Sequence, residues 1–116
     1  MATSTIKGKK DYTVTAGANG NIFAGDTSCV KKNGIVYLSL RVTDINNSGD
    51  TNIAVIPAGA RPKKNSYFPF AAVAASGKTV PHGYCVIDTD GKVNAQWAVM
   101  STANQIFINA TYEAEG

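Results

Sequence analysis

The sequence predicts an all-β fold, an antiparallel β-sandwich or jelly-roll-like domain of about eight short strands. Three observations favour this class. Apolar side chains recur at every second residue in the best-defined segments, as in strands that bury one face. Turn signals containing glycine, asparagine, aspartate or proline separate these segments about every 8 to 12 residues. Glutamate, a strong helix former, occurs only at positions 113 and 115.

The clearest strand covers residues 35–43. Its alternate positions are apolar and share one face: Val36, Leu38, Leu40 and Val42. A shorter strand, residues 28–31, precedes it. Lys32-Asn33-Gly34 lies between the two, and its glycine permits the positive φ that a tight hairpin requires. These segments therefore predict an antiparallel hairpin.

A second hairpin is predicted between residues 84–87 and 92–99. The intervening Asp88-Thr89-Asp90-Gly91 contains Asp-Gly, a strong short-range hairpin signal. We expect Trp97, on the returning strand, to lie in the core with its apolar neighbours on that face, Val93, Ala95 and Val99. The last strand covers residues 105–112 and has one apolar face: Ile106, Ile108, Ala110 and Tyr112.

Four further segments have weaker strand patterns: residues 12–15, 21–24, 51–56 and 68–75. The alanine-rich end of the last segment, residues 71–75, has the propensity for a helical turn. It is short, apolar throughout and flanked by Pro69 and Gly77, so we interpret it as a strand.

The length of 116 residues corresponds to one domain, which we place at residues 11–116. We interpret residues 1–10 as a polar lead-in or the remnant of a stem. Only 16% of the residues are charged, below the ~25% of an average soluble domain. Such a weakly charged surface suggests that part of it faces another subunit.

Charge and hydropathy argue against several classes of partner. The formal net charge is +3, but the lysines form short doublets such as Lys31-Lys32 and Lys63-Lys64, so we expect no nucleic-acid partner. No apolar run approaches about 18 residues, so we expect no membrane insertion. Cys29 and Cys85 form no CxxC motif. With no secretory signal in the first ten residues, we expect two free thiols, and a disulfide is the alternative.

The residues expected of an active site are sparse. The chain has one histidine, His82, within Val80-Pro81-His82-Gly83, and we interpret it as an exposed loop residue rather than a catalytic base. The sequence contains no G-x-S-x-G nucleophile elbow, and most aspartates sit beside turn residues. In Asp88-Thr89-Asp90-Gly91 the glycine comes too early for an EF-hand calcium loop. We therefore expect no enzyme activity, no cofactor and no metal.

The order of several short motifs is more specific than any one of them. Along the chain they are N-G-I-V-Y-L-S-L-R-V at 33–42, I-P-A-G-A-R-P at 56–62, V-I-D at 86–88, D-G-K-V at 90–93 and A-T-Y at 110–112. Over residues 34–112 this order resembles the C-terminal receptor-binding or tip domain of bacteriophage and prophage tail-fibre and baseplate proteins. Ala60 departs from the family pattern, which has tyrosine at that place.

The resemblance implies a small β-sandwich, assembled as a homotrimer at the end of a fibrous stem. It also implies adhesion to a saccharide or protein of the host cell surface, and a virion protein made in the bacterial cytoplasm. The family's ligand residues vary, so the candidates are loop-adjacent aromatic and polar residues: Tyr67, His82, Tyr84, Asp88 and Asp90. A stand-alone carbohydrate-binding module and a structural virion protein without a receptor are the alternatives.

Residues 56–62 form either an anion clamp or a structural corner, and local chemistry favours the corner. Pro57 cannot donate to a sheet ladder, so it should end the preceding strand. Gly59 permits a sharp turn, and Pro62 favours an extended conformation at Arg61. We expect Arg61 to pin a neighbouring strand or subunit by donating to backbone carbonyls or a carboxylate.

Overall fold

The computed structural model of the protein describes residues 9–45, 51–74, 79–96 and 103–115. Within them the strands are β1 Lys10–Tyr12, β2 Thr15–Ala16, β3 Asn21–Ile22, β4 Ser28–Lys32, β5 Ile35–Thr43, β6 Asn52–Val55, β7 Ser66–Ala74, β8 Thr79–Ile87, β9 Lys92–Gln96 and β10 Ala103–Glu113. A short 3-10 turn, Ala24–Asp26, lies between β3 and β4. No α-helix occurs in these ranges, and the predicted all-β class is confirmed.

The ten strands form one antiparallel sheet. Its order is β1-β4-β5-β10-β7-β8-β9-β6-β2, and β3 pairs with β5 on the same edge as β4. The β4–β5 hairpin forms as the sequence predicts, because Asn33 and Gly34 both adopt positive φ, 53° and 79°. The β8–β9 hairpin also forms, and its turn closes with a bond from Gly91 N to Asp88 O of 2.9 Å.

The sheet folds over at β7 and β10. β10 pairs with β5 along residues 106–113, but with β7 only through residues 71–74 of β7. Among the described residues, no pairing joins 66–70 to β10. The two halves of the sheet are therefore connected at one end and open at the other, so that they enclose the core in a sandwich-like manner.

The N-terminal segment brings the two ends of the sheet together. β1 pairs with β4 at one end of the strand order and β2 pairs with β6 at the other, with only Thr13 and Val14 between them. Val14 is buried at this crossing. The single strand predicted at residues 12–15 is thus divided in two, because the chain passes from one edge of the curled sheet to the other.

Inward-facing side chains from both halves form the core. The largest fully buried ones are Leu40, Ile53, Ile56, Ile87, Ile106 and Ile108. Cys29 and Cys85 lie among them as free thiols, as the sequence predicts. Since side chains alternate along a strand, the residues between the core positions of β5 and β10 point to the outer face.

The interpretation of His82 as a loop residue is wrong. It lies within β8, where the pairing with β7 shifts register between Phe70↔Gly83 and Ala72↔Val80. The extra residue on β8 forms a bulge, and a bulge accommodates Pro81, which cannot donate to the ladder. The His82 side chain and all of Trp97 lie outside the part of the chain that the structure describes.

Candidate functional site

The corner at residues 56–62 is held by hydrogen bonds within the protein. Ile56 N donates to Gly91 O in the β8–β9 turn at 2.7 Å, and Arg61 Nε donates to Ile56 O at 3.0 Å. Gly91 has a φ of 92°, and a Cβ there would collide with the Ile56 carbonyl oxygen. Arg61 thus donates to a backbone carbonyl inside its own corner, against which the Asp-Gly turn packs.

Gly59 connects this corner to β1, β4 and the C-terminal residues. Its N–H donates to Glu115 Oε2 at 2.9 Å, and its carbonyl accepts from Lys31 Nζ at 2.9 Å. Gly59 has a φ of 96°, and a Cβ there would lie 2.9 Å from the Tyr12 hydroxyl. Both the backbone conformation and the close Tyr12 ring therefore require glycine at this position.

The end of β10 completes the corner. The Tyr112 hydroxyl donates to the carbonyl of Ala60 at 2.6 Å, and Glu115 N donates to Arg61 O at 2.8 Å. Ala60 is fully buried, so the corner encloses its methyl group. These contacts make the corner a joint between strands, because its backbone groups find partners in neighbouring segments.

Four of the five predicted ligand residues have described side chains, and these four are not gathered into one site. Tyr67 and Tyr84 lie together on the outer face of β7 and β8, 67% and 51% exposed, with ring centroids 6.3 Å apart. Asp88 and Asp90 instead shape the β8–β9 turn. Asp88 Oδ2 accepts from Asn94 Nδ2 at 3.1 Å, and Asp90 Oδ1 accepts from a backbone N–H two residues ahead at 3.1 Å.

A polar groove crosses the outer face of β4, β5 and β10. Strand register places Ser28, Ser39 and Asn109 in one row across these three strands. Tyr37 and Thr111 lie opposite each other in the next row. Two adjoining depressions, of about 460 and 300 Å³, share the first row, so that they form one continuous groove.

Arg41 forms the wall at one end of this groove. Its guanidinium lies 4.2 Å from the ring centroid of Phe23 and 5.4 Å from that of Phe107. Nη1 pairs with Asp26 Oδ2 at 2.6 Å, while Nε and Nη2 donate to Gln105 Oε1 at 3.1 and 2.9 Å. Asp26 lies in the 3-10 turn between β3 and β4. This turn therefore places a carboxylate beside the Arg41 guanidinium and compensates its positive charge.

The polar side chains of the groove keep their hydrogen-bonding capacity. In the described part of the chain, no hydrogen bond occupies the side chain of any of five groove residues, Ser28, Tyr37, Ser39, Asn109 and Thr111. The backbones of Tyr37 and Ser39 are held from both sides, because β5 pairs there with β4 and with β10. Hydroxyl and amide groups on a rigid frame are therefore available to a ligand.

The groove is not among the sites predicted from the sequence, because the predicted ligand residues are aromatic and polar residues near turns. The signal that could have found it lies in the outward positions of the two best-predicted strands, where polar residues alternate with the core positions. Tyr37, Ser39 and Arg41 follow this pattern on β5, as do Asn109 and Thr111 on β10. Their alignment depends on strand register.

The buried ionisable groups do not form a reactive centre. Burial raises the pKa of the Cys29 thiol to about 11 and that of the Cys85 thiol to about 12. Burial also raises the pKa of the Tyr112 hydroxyl, and the charge of Cys29 raises it further. Thiols with such pKa values stay protonated at neutral pH, so they are poor nucleophiles.

Within the described ranges, no group of three or more His, Cys, Asp or Glu side chains is placed to hold a metal ion. Nor does any described helix have the length and apolarity needed to cross a membrane. No protein-family model matches the chain, and a search of curated proteins found no match.

Proposed function

We propose that the protein is the tip domain of a phage tail fibre that attaches the virion to a saccharide of the host cell surface as a homotrimer. The observation that carries the proposal is the outer groove. It presents unoccupied hydroxyl and amide groups beside Tyr37, whose surface is 50% exposed. Sugars are bound by such combinations of hydrogen-bonding groups and aromatic side chains.

The charge arrangement of the groove supports binding rather than cleavage. Glycoside hydrolysis uses two carboxylates that flank the scissile bond. Asp26 is the carboxylate among the described groove residues, and it pairs with Arg41 at 2.6 Å. A groove of this composition can hold a sugar, and it offers no second carboxylate on its described lining to act as acid, base or nucleophile.

The fibre assignment draws on the order of motifs along residues 34–112 and on the low charged fraction of 16%. A trimer buries surface that would otherwise need charged residues to keep it soluble. The exposed Tyr67 and Tyr84 pair gives the protein a second aromatic surface, on the other half of the sheet. The receptor-binding role of the groove has to be separated experimentally from any role of this pair.

Adsorption to bacteria tests the proposal. Fluorescently labelled protein is mixed with a panel of intact strains, and retention on washed cells is compared before and after addition of each strain's extracted surface polysaccharide. We expect one strain to retain the protein and its polysaccharide to displace it. Light scattering should give three times the chain mass of 12.1 kDa. A monomer at micromolar concentration that adsorbs to no strain would contradict the proposal.

The same two measurements separate the alternatives. A stand-alone carbohydrate-binding module would be monomeric and would bind isolated polysaccharide. A structural virion protein would form an oligomer that adsorbs to no envelope. Protease treatment of the cells distinguishes a protein receptor, because it abolishes adsorption that a saccharide receptor would preserve.

A further inference from the structure

We infer that the groove formed by Ser28, Tyr37, Ser39, Asn109 and Thr111 binds an uncharged pyranose sugar and discriminates against acidic sugars. This inference rests on the proposed attachment to a saccharide and assigns both the site and the chemical class of the ligand. None of these five residues belongs to the turn-adjacent set predicted from the sequence.

The hydrogen-bonding chemistry of the groove matches a polyhydroxyl ligand. Serine, threonine and tyrosine hydroxyls each donate and accept, and the Asn109 amide offers both functions on one side chain. Sugar hydroxyls likewise donate and accept. The row of Ser28, Ser39 and Asn109 crosses three strands and is about 10 Å long. The row of Tyr37 and Thr111 is parallel to it, about 7 Å away along the strand direction. Groups at this spacing can contact several hydroxyls of one ligand.

Tyr37 supplies the apolar part of the site. It lines the groove and is 50% exposed, although it sits on the long central strand β5. An aromatic ring can pack against the C–H face of a pyranose while neighbouring groups bind its hydroxyls. Pairing with β4 on one side and β10 on the other fixes the backbone of Tyr37, so little ordering is needed on binding.

The charge of the groove decides between neutral and acidic sugars. Asp26 and Arg41 are the charged residues on its described lining, and they pair with each other at 2.6 Å. Recognition of a carboxylate relies on a cation whose donors are available. Nε, Nη1 and Nη2 of Arg41 each already donate a hydrogen bond, to Asp26 or to Gln105. An acidic sugar would also face the Asp26 carboxylate, so uncharged sugars are favoured.

The test is a titration of isotopically labelled protein, followed by backbone amide NMR shifts. The probes are methyl glucoside, methyl galactoside, methyl rhamnoside and N-acetylglucosamine. Glucuronate and galacturonate serve as acidic counterparts of the first two. We expect at least one neutral probe to shift the Ser39 and Asn109 amides, and both acidic probes to bind at least about tenfold more weakly than that probe does.

Matched variants assign the site. Tyr37→Ala should weaken binding of the neutral probe at least about tenfold, and Ser39→Ala about three- to tenfold. Tyr84→Ala is the control, because Tyr84 is as exposed as Tyr37 (51% against 50%) but lies outside the groove, and it should leave the affinity unchanged. Asp26→Asn leaves the charge of Arg41 uncompensated, so this variant should bind glucuronate more tightly than the wild type does.

Three results would overturn the inference: no probe shifts a groove amide, acidic probes bind the wild type as tightly as neutral ones, or binding is lost in Tyr84→Ala and kept in Tyr37→Ala. If the wild type still adsorbs to bacteria, only the site and ligand class are wrong. If it neither adsorbs to bacteria nor binds polysaccharide, the proposed function fails as well.

Discussion

The corner at residues 56–62 and the outer groove are both rich in polar groups but use them differently. In the corner, backbone groups of Ile56, Gly59 and Ala60 bond to other segments of the chain. In the groove, the side chains of Ser39 and Asn109 make no hydrogen bond within the described residues. The corner is the conspicuous motif in the sequence, whereas the groove arises from ordinary alternation along two strands.

The difference has a simple physical origin. A chain that leaves the sheet at a proline loses its ladder partners, so its N–H and C=O groups need new ones. Glu115, Gly91 and Tyr112 provide them at the corner. Along β5 the pairings with β4 and β10 already supply backbone partners, so its outward side chains are not needed for that purpose. Dense internal bonding therefore marks the corner as a joint, whereas the outward side chains of the groove are left without protein partners among the described residues, as the proposed ligand binding requires.

Gly91→Ala should have the largest effect on stability. The added Cβ would collide with the Ile56 carbonyl, and Gly91 has a φ of 92°. Both strain and overlap contribute, so we expect a loss of about 3 kcal/mol in the free energy of unfolding, measured by urea denaturation. Gly34→Ala is the control, since φ is 79° there but no atom lies within 4 Å of the new Cβ. It should cost about 1 kcal/mol. Equal losses would show that the corner is not tightly packed.

Alkaline pH should destabilise the protein, because its core contains two buried thiols. Cys29 and Cys85 have folded-state pKa values of about 11 and 12, against 9.0 for an unperturbed thiol. Above pH 9 the unfolded chain loses protons that the folded chain retains, so the free energy of unfolding falls as pH rises. For each thiol the slope steepens toward about 1.4 kcal/mol per pH unit as the thiol of the unfolded chain becomes fully ionised. Urea denaturation at pH 9 and pH 10 measures this change in the free energy of unfolding, and Cys29→Ala should make the change smaller. A flat profile would mean that water reaches these thiols.

Tyr112→Phe and Tyr37→Phe compare the loss of a hydrogen-bonded hydroxyl with the loss of one that has no described partner. Removing the Tyr112 hydroxyl leaves the buried Ala60 carbonyl without this donor, and we expect a loss of about 1–3 kcal/mol by urea denaturation. Tyr37→Phe removes a hydroxyl that has no partner among the described residues, so stability should change by less than about 0.5 kcal/mol. If both variants lost the same stability, the distinction between the two regions would fail.

Arg61→Ala should have the smallest effect of the corner variants. The side chain is half-buried, and it contributes one bond from Nε to the Ile56 carbonyl. Its loss should cost about 1 kcal/mol, detectable as a lower melting temperature. Arg61→Lys is an informative comparison, because lysine keeps the charge and lacks the Nε donor. An unchanged melting temperature with lost adsorption would instead make Arg61 a ligand residue.

Much of the fold followed from the sequence. The alternation at residues 35–43 predicted the bounds of β5, and Asn33-Gly34 and Asp90-Gly91 predicted both hairpins, because local chemistry decides these features. His82 was misassigned because a proline and a glycine indicate a turn as readily as a bulge. Only the pairing partner, which is a non-local property, separates the two.

The candidate site was less predictable than the fold. Ser28, Ser39 and Asn109 come from separate parts of the chain, and a register shift of one residue would turn one of them away from the row. The pairing of Arg41 with Asp26 depends on the 3-10 turn, which the sequence pattern at residues 21–24 did not indicate. Tyr67 and Tyr84, each predicted as a ligand residue, prove to form an exposed pair, and their role in ligand binding stays a prediction.

Comparing the affinity of Tyr37→Ala and Arg61→Ala for the neutral sugar that binds the wild type is the most direct test of the account. Tyr37→Ala should lose at least about tenfold in affinity, whereas Arg61→Ala should keep its affinity although its melting temperature is lower. The opposite pattern, with binding lost in Arg61→Ala and kept in Tyr37→Ala, would place the ligand at the corner and contradict the account.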